Sequence, residues 1–558
     1  MIPTIPGANI FSALRGSTTF QPLRNRFFAM LWTAALVSNF GSLVQSVGAQ
    51  WLMTSIAPSA DMVALVQTAI TLPILIFSLP SGAIADIWER RTVLLISQIM
   101  MLTASAALAI VAHMGIVSPW LLLGFTFALG IGAALFGPSW QASVGDLVPR
   151  AEVPAAVALN SLGFNLARAL GPALGGLIVA AAGPEAAFTL NACSYIALIV
   201  VLLRWHPKRA ERHLPPEDMI PAMGAGIRYA SLSPAIRAVL LRGLAFGVCG
   251  SAIWALLPLV ARDIVGGGPI TFGSLLGGLG AGAIIGAFSA TPVRIFLGTE
   301  RMVLAGTLVF GLAILGAAFA ANLIVMMALL VAAGTAWVMT LSTFNVTVQM
   351  ASPRWVMGRT IAVYQMMIFG GMAIGSWMWG LVAHWGGVGI AIAAAGIVVL
   401  ATLALGLRLA LPEPQNIDLT PSGAWPEPEV TLNIEPTSGP IFVTVEYHIA
   451  PENVGNFRAI MREMRRARRR DGARYWALIQ DIGAPEIWTE RYEASTWIDH
   501  LRQHARATVA DQDIDARAMA LHMGPLPPKI RHFIEWPVIG SPGRRQSDLA
   551  RHATDHHH

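Results

Sequence analysis

Over the first 411 positions the hydrophobic residues do not alternate with polar ones; they run in blocks. Apolar stretches near 27–55, 62–85, 92–113, 119–143, 154–181, 186–204, 236–261, 269–291, 301–321, 323–350, 358–383 and 386–409 are separated by short charged patches. Each approaches or exceeds the ~20 residues that a helix needs to cross a hydrocarbon core. After Pro412 the pattern changes. Residues 412–440 are rich in Pro, Thr, Ser and Glu and read as a linker. Ile441–His448 then alternates with the period of a half-buried strand, and Phe457, Ile460, Met461 and Met464 recur at helical spacing. Strand-like runs at 474–480 and 486–492 join through Gly483, helices follow near 495–505 and 508–521, and a last strand lies at 530–536. The order β-α-β-β-α-β is that of a ferredoxin-like domain.

The predicted fold is therefore an all-α membrane protein of about twelve transmembrane helices in two six-helix halves, followed by a small α+β ferredoxin-like cytoplasmic domain. The boundaries are 1–204 for the first half, 205–234 for a central loop, 235–411 for the second half, 412–440 for the linker, 441–540 for the soluble domain and 541–558 for a disordered tail.

Charge orients this plan. Arg15, Arg24, Arg26, Arg90, Arg91, Arg150, Arg204, Lys208, Arg209, Arg212, Arg294, Arg301, Arg354, Arg359 and Arg408 fall on one side of the alternating spans. The other side has Arg262, next to Asp263. Cations mark cytoplasmic loops, so both termini and the central loop are expected in the cytoplasm of a multi-pass inner-membrane protein. Residues 1–26 have no short apolar core with a cleavage site, so no cleaved signal is expected.

Composition supports this picture. Only 12% of the 558 residues are charged, against about 25% in soluble domains. The net charge of +6 belongs to the loops and is no argument for a nucleic-acid partner. Cys193 and Cys249 both lie in apolar runs, which implies neither a disulfide framework nor a thiolate metal site. Six spans, a basic loop and six more is the plan of carriers that rock two halves about a midplane site. A channel or a membrane-embedded enzyme does not require that plan. The expected partners are a small-molecule substrate and the lipid bilayer, with no cofactor.

Between spans 2 and 3 stands Gly82-Ala-Ile-Ala-Asp86-Ile-Trp-Glu-Arg90-Arg91. It resembles the loop motif of the major facilitator superfamily, with Ile87 and Glu89 as departures. Gly82 would let helices approach, Asp86 would accept charge-assisted hydrogen bonds, and the arginines would anchor the loop. Span 5 carries Gly163-Phe-Asn-Leu-Ala167-Arg-Ala-Leu-Gly171-Pro172-Ala-Leu-Gly175-Gly176. This is similar to the glycine-proline motif of antiporters in that superfamily, with Ala167 in place of the middle glycine. Small residues four apart allow backbone-to-backbone packing, and Pro172 removes a helical hydrogen bond. Gly137-Pro138-Ser-Trp140-Gln141, Leu147-Val-Pro149-Arg150, Ala158-Leu-Asn160-Ser and Asn165-Leu-Ala-Arg168 resemble the enterobactin and macrolide exporter group, over about residues 20–411. What the resemblance implies is export of a siderophore, drug or related metabolite, with protons as the coupling ion. An importer, a lipid translocator, or a transporter–monooxygenase fusion remain alternatives.

Arg168 lies inside span 5, where a cation costs about 3 kcal/mol to insert. It either pairs structurally with Asp86, Asp146 or helix carbonyls, or binds an anionic or carbonyl-rich substrate. Asn160 and Asn165 extend a polar face, and Asn39, Gln45, Gln50, Asn345 and Gln349 are further candidates for a cavity lining, each also readable as helix–helix glue. No Asp or Glu occupies a span interior, so a proton carrier would be an end-lying acid or a histidine such as His113 or His384.

In the soluble domain, Tyr492-Glu-Ala-Ser-Thr-Trp497-Ile-Asp-His500-Leu-Arg-Gln-His504 is similar to the antibiotic-biosynthesis monooxygenase group. His500 and His504 share a helix face at the spacing of a metal pair or a general base. A dimerising or regulatory module ranks ahead of either, and no metal is expected. Arg465, Arg466, Arg468, Arg469 and Arg470 read as a solvated helix face, or one that touches anionic lipid.

Overall fold

The computed structural model describes residues 18–144, 147–149, 152–205, 219–411, 418–420, 422, 431–432 and 434–536. It divides into two compact units, Met1–Asn416 and Ile417–His558.

Eleven helices among the described residues are long and apolar enough to span a membrane. In the first half these are α1 (Arg26–Ile56), α2 (Ala60–Ile87), α3 (Arg90–His113), α4 (Pro119–Val144) and α5 (Val153–Leu203). A short helix, α6 (Met219–Leu232), precedes the second half: α7 (Pro234–Leu259, extended by a π-turn Val260–Ile264), α8 (Pro269–Leu297), α9 (Thr299–Ala317), α10 (Leu323–Met350), α11 (Met357–Gly386), and α12 (Val388–Ala401) running into α13 (Leu403–Arg408). Asn25 and Asn322 cap α1 and α10, each carboxamide oxygen accepting two N-terminal amides.

Helix α5 has 51 residues, about 76 Å at the helical rise, against a core of about 30 Å. It is two crossings. Gly183, at φ 80° and ψ 167°, interrupts it, at the break expected between 181 and 186. A Cβ at Gly183 would collide with the Glu185 carboxylate, and this backbone conformation favours glycine. With α5 counted as two, the crossings among the described residues number twelve.

The 205–234 stretch is not simply a loop. Helix α6 buries Ala222, Ala225, Gly226, Tyr229 and Ala230. The Tyr229 hydroxyl donates to the Ala351 carbonyl at 3.3 Å, and its ring meets Trp355 edge-on at 5.8 Å. Four of its five buried residues are Ala or Gly, too small to register as an apolar stripe.

The second unit is a four-stranded antiparallel sheet of order β2-β3-β1-β4, from β1 (Ile441–His448), β2 (Arg474–Gln480), β3 (Ile487–Ala494) and β4 (Lys529–Ile534). Central β1 pairs Ile441 with Ala494 on β3 and with Ile534 on β4. Three helices, α14 (Val454–Asp471), α15 (Trp497–Arg506) and α16 (Val509–Met519), complete the unit. Val445 and Tyr447 of β1 pack with Phe457, Met461 and Met464 of α14.

The arginine run departs from expectation. Arg465, Arg466 and Arg469 are exposed, but Arg468 and Arg470 turn inward. Arg468 reaches the fully buried Glu490 at 3.3 Å and Asp515 at 2.8 Å, and Arg470 grips both carboxylate oxygens of Asp511. Burial pulls Arg468 down, but Asp515 and Glu490 outweigh it and hold the guanidinium well above its ordinary value. The acids that turn these arginines inward come from β3 and α16, far along the chain. Arg468→Met should strip Glu490 and Asp515 of their counter-charge and destabilise this unit by about 3 kcal/mol, whereas Arg466→Ala should change it by less than about 0.5 kcal/mol. Hydrogen exchange of the β1 amides in the intact protein measures both; equal protection in the two variants would contradict the buried network.

Candidate functional site

The two halves meet chiefly along two helix pairs. On one seam, α2 runs against α11. A Cβ at Gly380 would lie 2.6 Å from Ala64 Cβ and 3.0 Å from Asp61 Cα, and one at Gly370 would lie 2.8 Å from Leu75. Thr68 donates its hydroxyl to the Ala373 carbonyl at 3.0 Å. On the other seam, α5 runs against α8: a Cβ at Gly176 would lie 2.7 Å from the Pro269 oxygen and 2.8 Å from Gly273 Cα. Two polar contacts join the halves at this same end. Arg262 donates to the Thr54 carbonyl at 2.8 Å, and His384 Nδ1 lies 3.8 Å from Asp61 Oδ1. This is the end opposite the arginine-rich loops.

Helix α5 presents two faces of small residues. Gly163 packs on Trp32 and Leu36, Gly171 on Leu43, and Gly175 on Val44 and Val47, all of α1. Pro172 and Gly176 turn instead toward α8, where the Pro172 carbonyl approaches Gly273. Residues four apart lie on one helix face, so Phe164, Arg168, Pro172 and Gly176 form a single stripe. Asn165, seven before Pro172, joins it. Arg168 is two turns from Gly176, about 12 Å along the axis. It lies on the same stripe that packs on α8 at Pro172 and Gly176, displaced toward the arginine-rich side. Its guanidinium sits 5.1 Å over the Phe164 ring. No ion pair of Arg168 occurs among the described residues; Asp146 and the Asp86 side chain lie outside them.

The other candidate residues scatter. Gln45 is buried within the first half, its oxygen accepting from Ser105 Oγ and Asn191 Nδ2, both at 2.5 Å. Asn160 accepts from the Trp140 indole at 2.8 Å. Both side-chain oxygens thus bond between helices of one half. Gln50 is buried and donates to Ser46 Oγ at 3.1 Å, and Asn39 is half-buried in α1. Gln349 donates to Asn345 at 2.5 Å on an exposed face of α10.

In the loop motif, Arg91 donates to the carbonyls of Leu202 and Leu203 at 3.1 and 2.8 Å, where a cation complements a helix C-terminus. Arg90 also has a partner. Among the described residues a Cβ at Gly82 would meet nothing within 4 Å, so no described helix packs closely on it.

Sequence reading missed Arg242, buried in α7, which donates to Glu300 at 2.6 Å and to the Leu409 carbonyl at 3.2 Å. Leu411 N closes the ring onto Glu300 at 2.8 Å. In the second unit, His500 and His504 of α15 are joined by His532 of β4, the three residues' ligand atoms lying within 4.8 Å of one another. That is the described group with the donors to hold a metal.

A family model described as transmembrane secretion effector matches residues 17–538, through both units. The staphyloferrin A transporter of Staphylococcus aureus is 25% identical over 293 residues, 51% of this chain and 72% of the relative. The multidrug efflux pump Tap of Mycobacterium tuberculosis is 24% identical over 400 residues, 70% and 94%. Macrolide efflux protein A of Streptococcus pyogenes is 24% identical over 291 residues, 50% and 71%. Among solved structures, a bacterial homologue of the human lysosomal transporter Spinster matches 70% of this chain and 96% of its own at a TM-score of 0.55 and 14% identity.

Gly176 yields a sharp test, because its neighbours on α8 are backbone atoms that cannot rotate away. Gly176→Val should keep the seam from closing and lower transport at least tenfold at normal protein level. In a background lacking Cys193 and Cys249, Thr54→Cys should then pass from protected to reactive toward an impermeant thiol reagent applied from the side of Thr54. Unchanged protection with normal transport would mean that α5 and α8 do not form the seal.

Proposed function

The chain belongs to the transmembrane secretion effector family of the major facilitator superfamily, and on that premise we propose that it exports small organic molecules from the cytoplasm across the inner membrane by alternating access. Both termini and the 205–234 segment face the cytoplasm in this reading, which the arginine distribution supports. The observation that carries it is the single α5 stripe, sealed on α8 at Gly176 and bearing Arg168 about two turns and Asn165 about three turns inward. With the outer end closed, a substrate enters from the arginine-rich side and meets Arg168. Rocking the halves then parts Gly176 from Gly273 and releases it outward. Relatives named for multidrug and macrolide efflux support the direction, and one named for staphyloferrin A transport supports a small organic cargo.

Arg168 selects the substrate class. Its planar fork offers paired donors to a carboxylate or another chelating oxygen pair, and Phe164 beside it offers an aromatic surface. The favoured cargo is an oxygen-rich organic anion.

Protons moving inward drive the cycle. His384 of α11 faces Asp61 of α2 across the outer seam, and Arg262, Asp263 and Glu185 are the other charged groups near the outer helix ends. When His384 takes up a proton, its attraction for Asp61 favours the outer-closed state. When the proton leaves, that attraction is lost. Both groups are partly exposed, so the contact contributes about 0.5 kcal/mol, a bias rather than a lock.

Two measurements follow. In inverted vesicles, Arg168→Ala should lower uptake of anionic cargo at least tenfold at normal protein level, and Arg168→Lys should restore part of it. Normal transport of every candidate would remove Arg168 from the site; loss of detergent stability instead would make it structural. His384→Gln and Asp61→Asn should each flatten the rise of efflux as the outside is acidified. A steep dependence retained in both would place coupling elsewhere.

A further inference from the structure

We propose that His500, His504 and His532 form a binding site for one divalent first-row transition-metal ion of the zinc, copper, nickel and iron group. The site arises from two elements. His500 and His504 stand one turn apart on α15, and His532 comes from edge strand β4. Ring centroids are 4.3 Å apart for His500 and His504, 4.9 Å for His500 and His532, and 6.5 Å for His504 and His532.

The second observation is the state of the nitrogens. His500 is completely buried, yet neither Nδ1 nor Nε2 has a hydrogen-bond partner, and Nε2 of His532 is likewise buried and unbonded. Buried polar atoms are nearly always satisfied. A neutral imidazole has one lone-pair nitrogen and one N–H; three such rings facing one another leave lone pairs without donors, and a metal ion accepts one lone pair from each ring at once.

The geometry is close to that of a ligand set. Zinc–nitrogen bonds of about 2.1 Å at tetrahedral angles place ligand atoms about 3.4 Å apart, against the 4.8 Å within which these lie, so small side-chain rotations close the set. Thr496 caps α15 by accepting from Asp499 N, and Trp497 lies 5.3 Å from the His500 ring, so the helix face that carries the pair is fixed. Burial first, and then the neighbouring imidazoles, push His500 down to about 3; burial and His532 push His504 down to about 4. The rings are thus neutral, as metal ligation requires. An all-imidazole set favours borderline ions over magnesium or calcium, which take oxygen ligands. Three protein ligands leave a fourth position for water or a small ligand.

The test uses the full chain with His552, His556, His557 and His558 replaced by Ala, so that the terminal histidines contribute nothing. Chelator-stripped protein titrated with zinc, and separately with cobalt(II), should bind one equivalent, with cobalt giving the visible bands of tetrahedral coordination. His504→Asn and His532→Gln should each weaken zinc binding at least tenfold and remove those bands. Hydrogen exchange in β4 and α15 should slow on adding zinc to the parent protein and not to His532→Gln, a readout that separates a lost ligand from a lost fold. Absence of stoichiometric binding, or unchanged affinity in the two variants combined, would overturn the site.

Discussion

Backbone contact between Gly176 and Gly273 is the constraint on which the membrane unit depends. In a bilayer the lipid tails are as apolar as leucine, so helices associate through close packing rather than expulsion from water. Removing the β-carbon on both sides lets α5 and α8 touch main chain to main chain. The contacts within the first half differ in kind. Gly171 and Gly175 meet mainly the side chains of Leu43 and Val47, which interlock and hold α5 to α1 as one body. A smooth surface toward α8 and a keyed surface toward α1 are what a helix needs if it moves with one half and slides from the other.

Charge in this unit is distributed by the same logic. Arg91 terminates the carbonyls at the end of α5, Arg242 is closed into a ring with Glu300 and the chain at Leu409–Leu411, and Arg262 holds the Thr54 carbonyl. Each neutralises a helix end or an acid where desolvation is costly. Arg168 is the exception: its described contact is an aromatic ring, on the stripe that the seam covers only farther along. An intramembrane cation is a candidate for a pathway; among the described residues Arg168 has an aromatic contact and no ion pair, whereas the side-chain oxygens of Gln45 and Asn160 accept bonds within one half.

Features carried by local spacing were legible in the sequence. The twelve crossings follow from run length, the close-packing stripe of α5 from small residues four apart, and the ferredoxin-like order from a switch between two- and 3.6-residue periods. Features that need partners distant in the chain were not. Arg242 and Glu300 are 58 positions apart, and nothing in either segment announces the other. Helix α6 was overlooked because its buried face is alanine and glycine. Gly82 was assigned a packing role that its described neighbours do not supply.

The second unit shows the converse use of buried polarity. The membrane unit keeps acids out of its span interiors, while the small domain places Arg468, Glu490 and Asp515 in contact inside its core. A buried network of this kind costs desolvation that an apolar core avoids, and it specifies one arrangement in return. Glu490 on β3 and Asp515 on α16 meet through one guanidinium, so the sheet and two helices fit together in one way only. In the same domain α15 and β4 gather His500, His504 and His532. The sequence exposed the i,i+4 pair but not the third histidine, because a strand paired with β1 at the sheet edge has no periodic relation to the helix it faces. The histidine cluster is thus a product of tertiary packing, of α15 against edge strand β4.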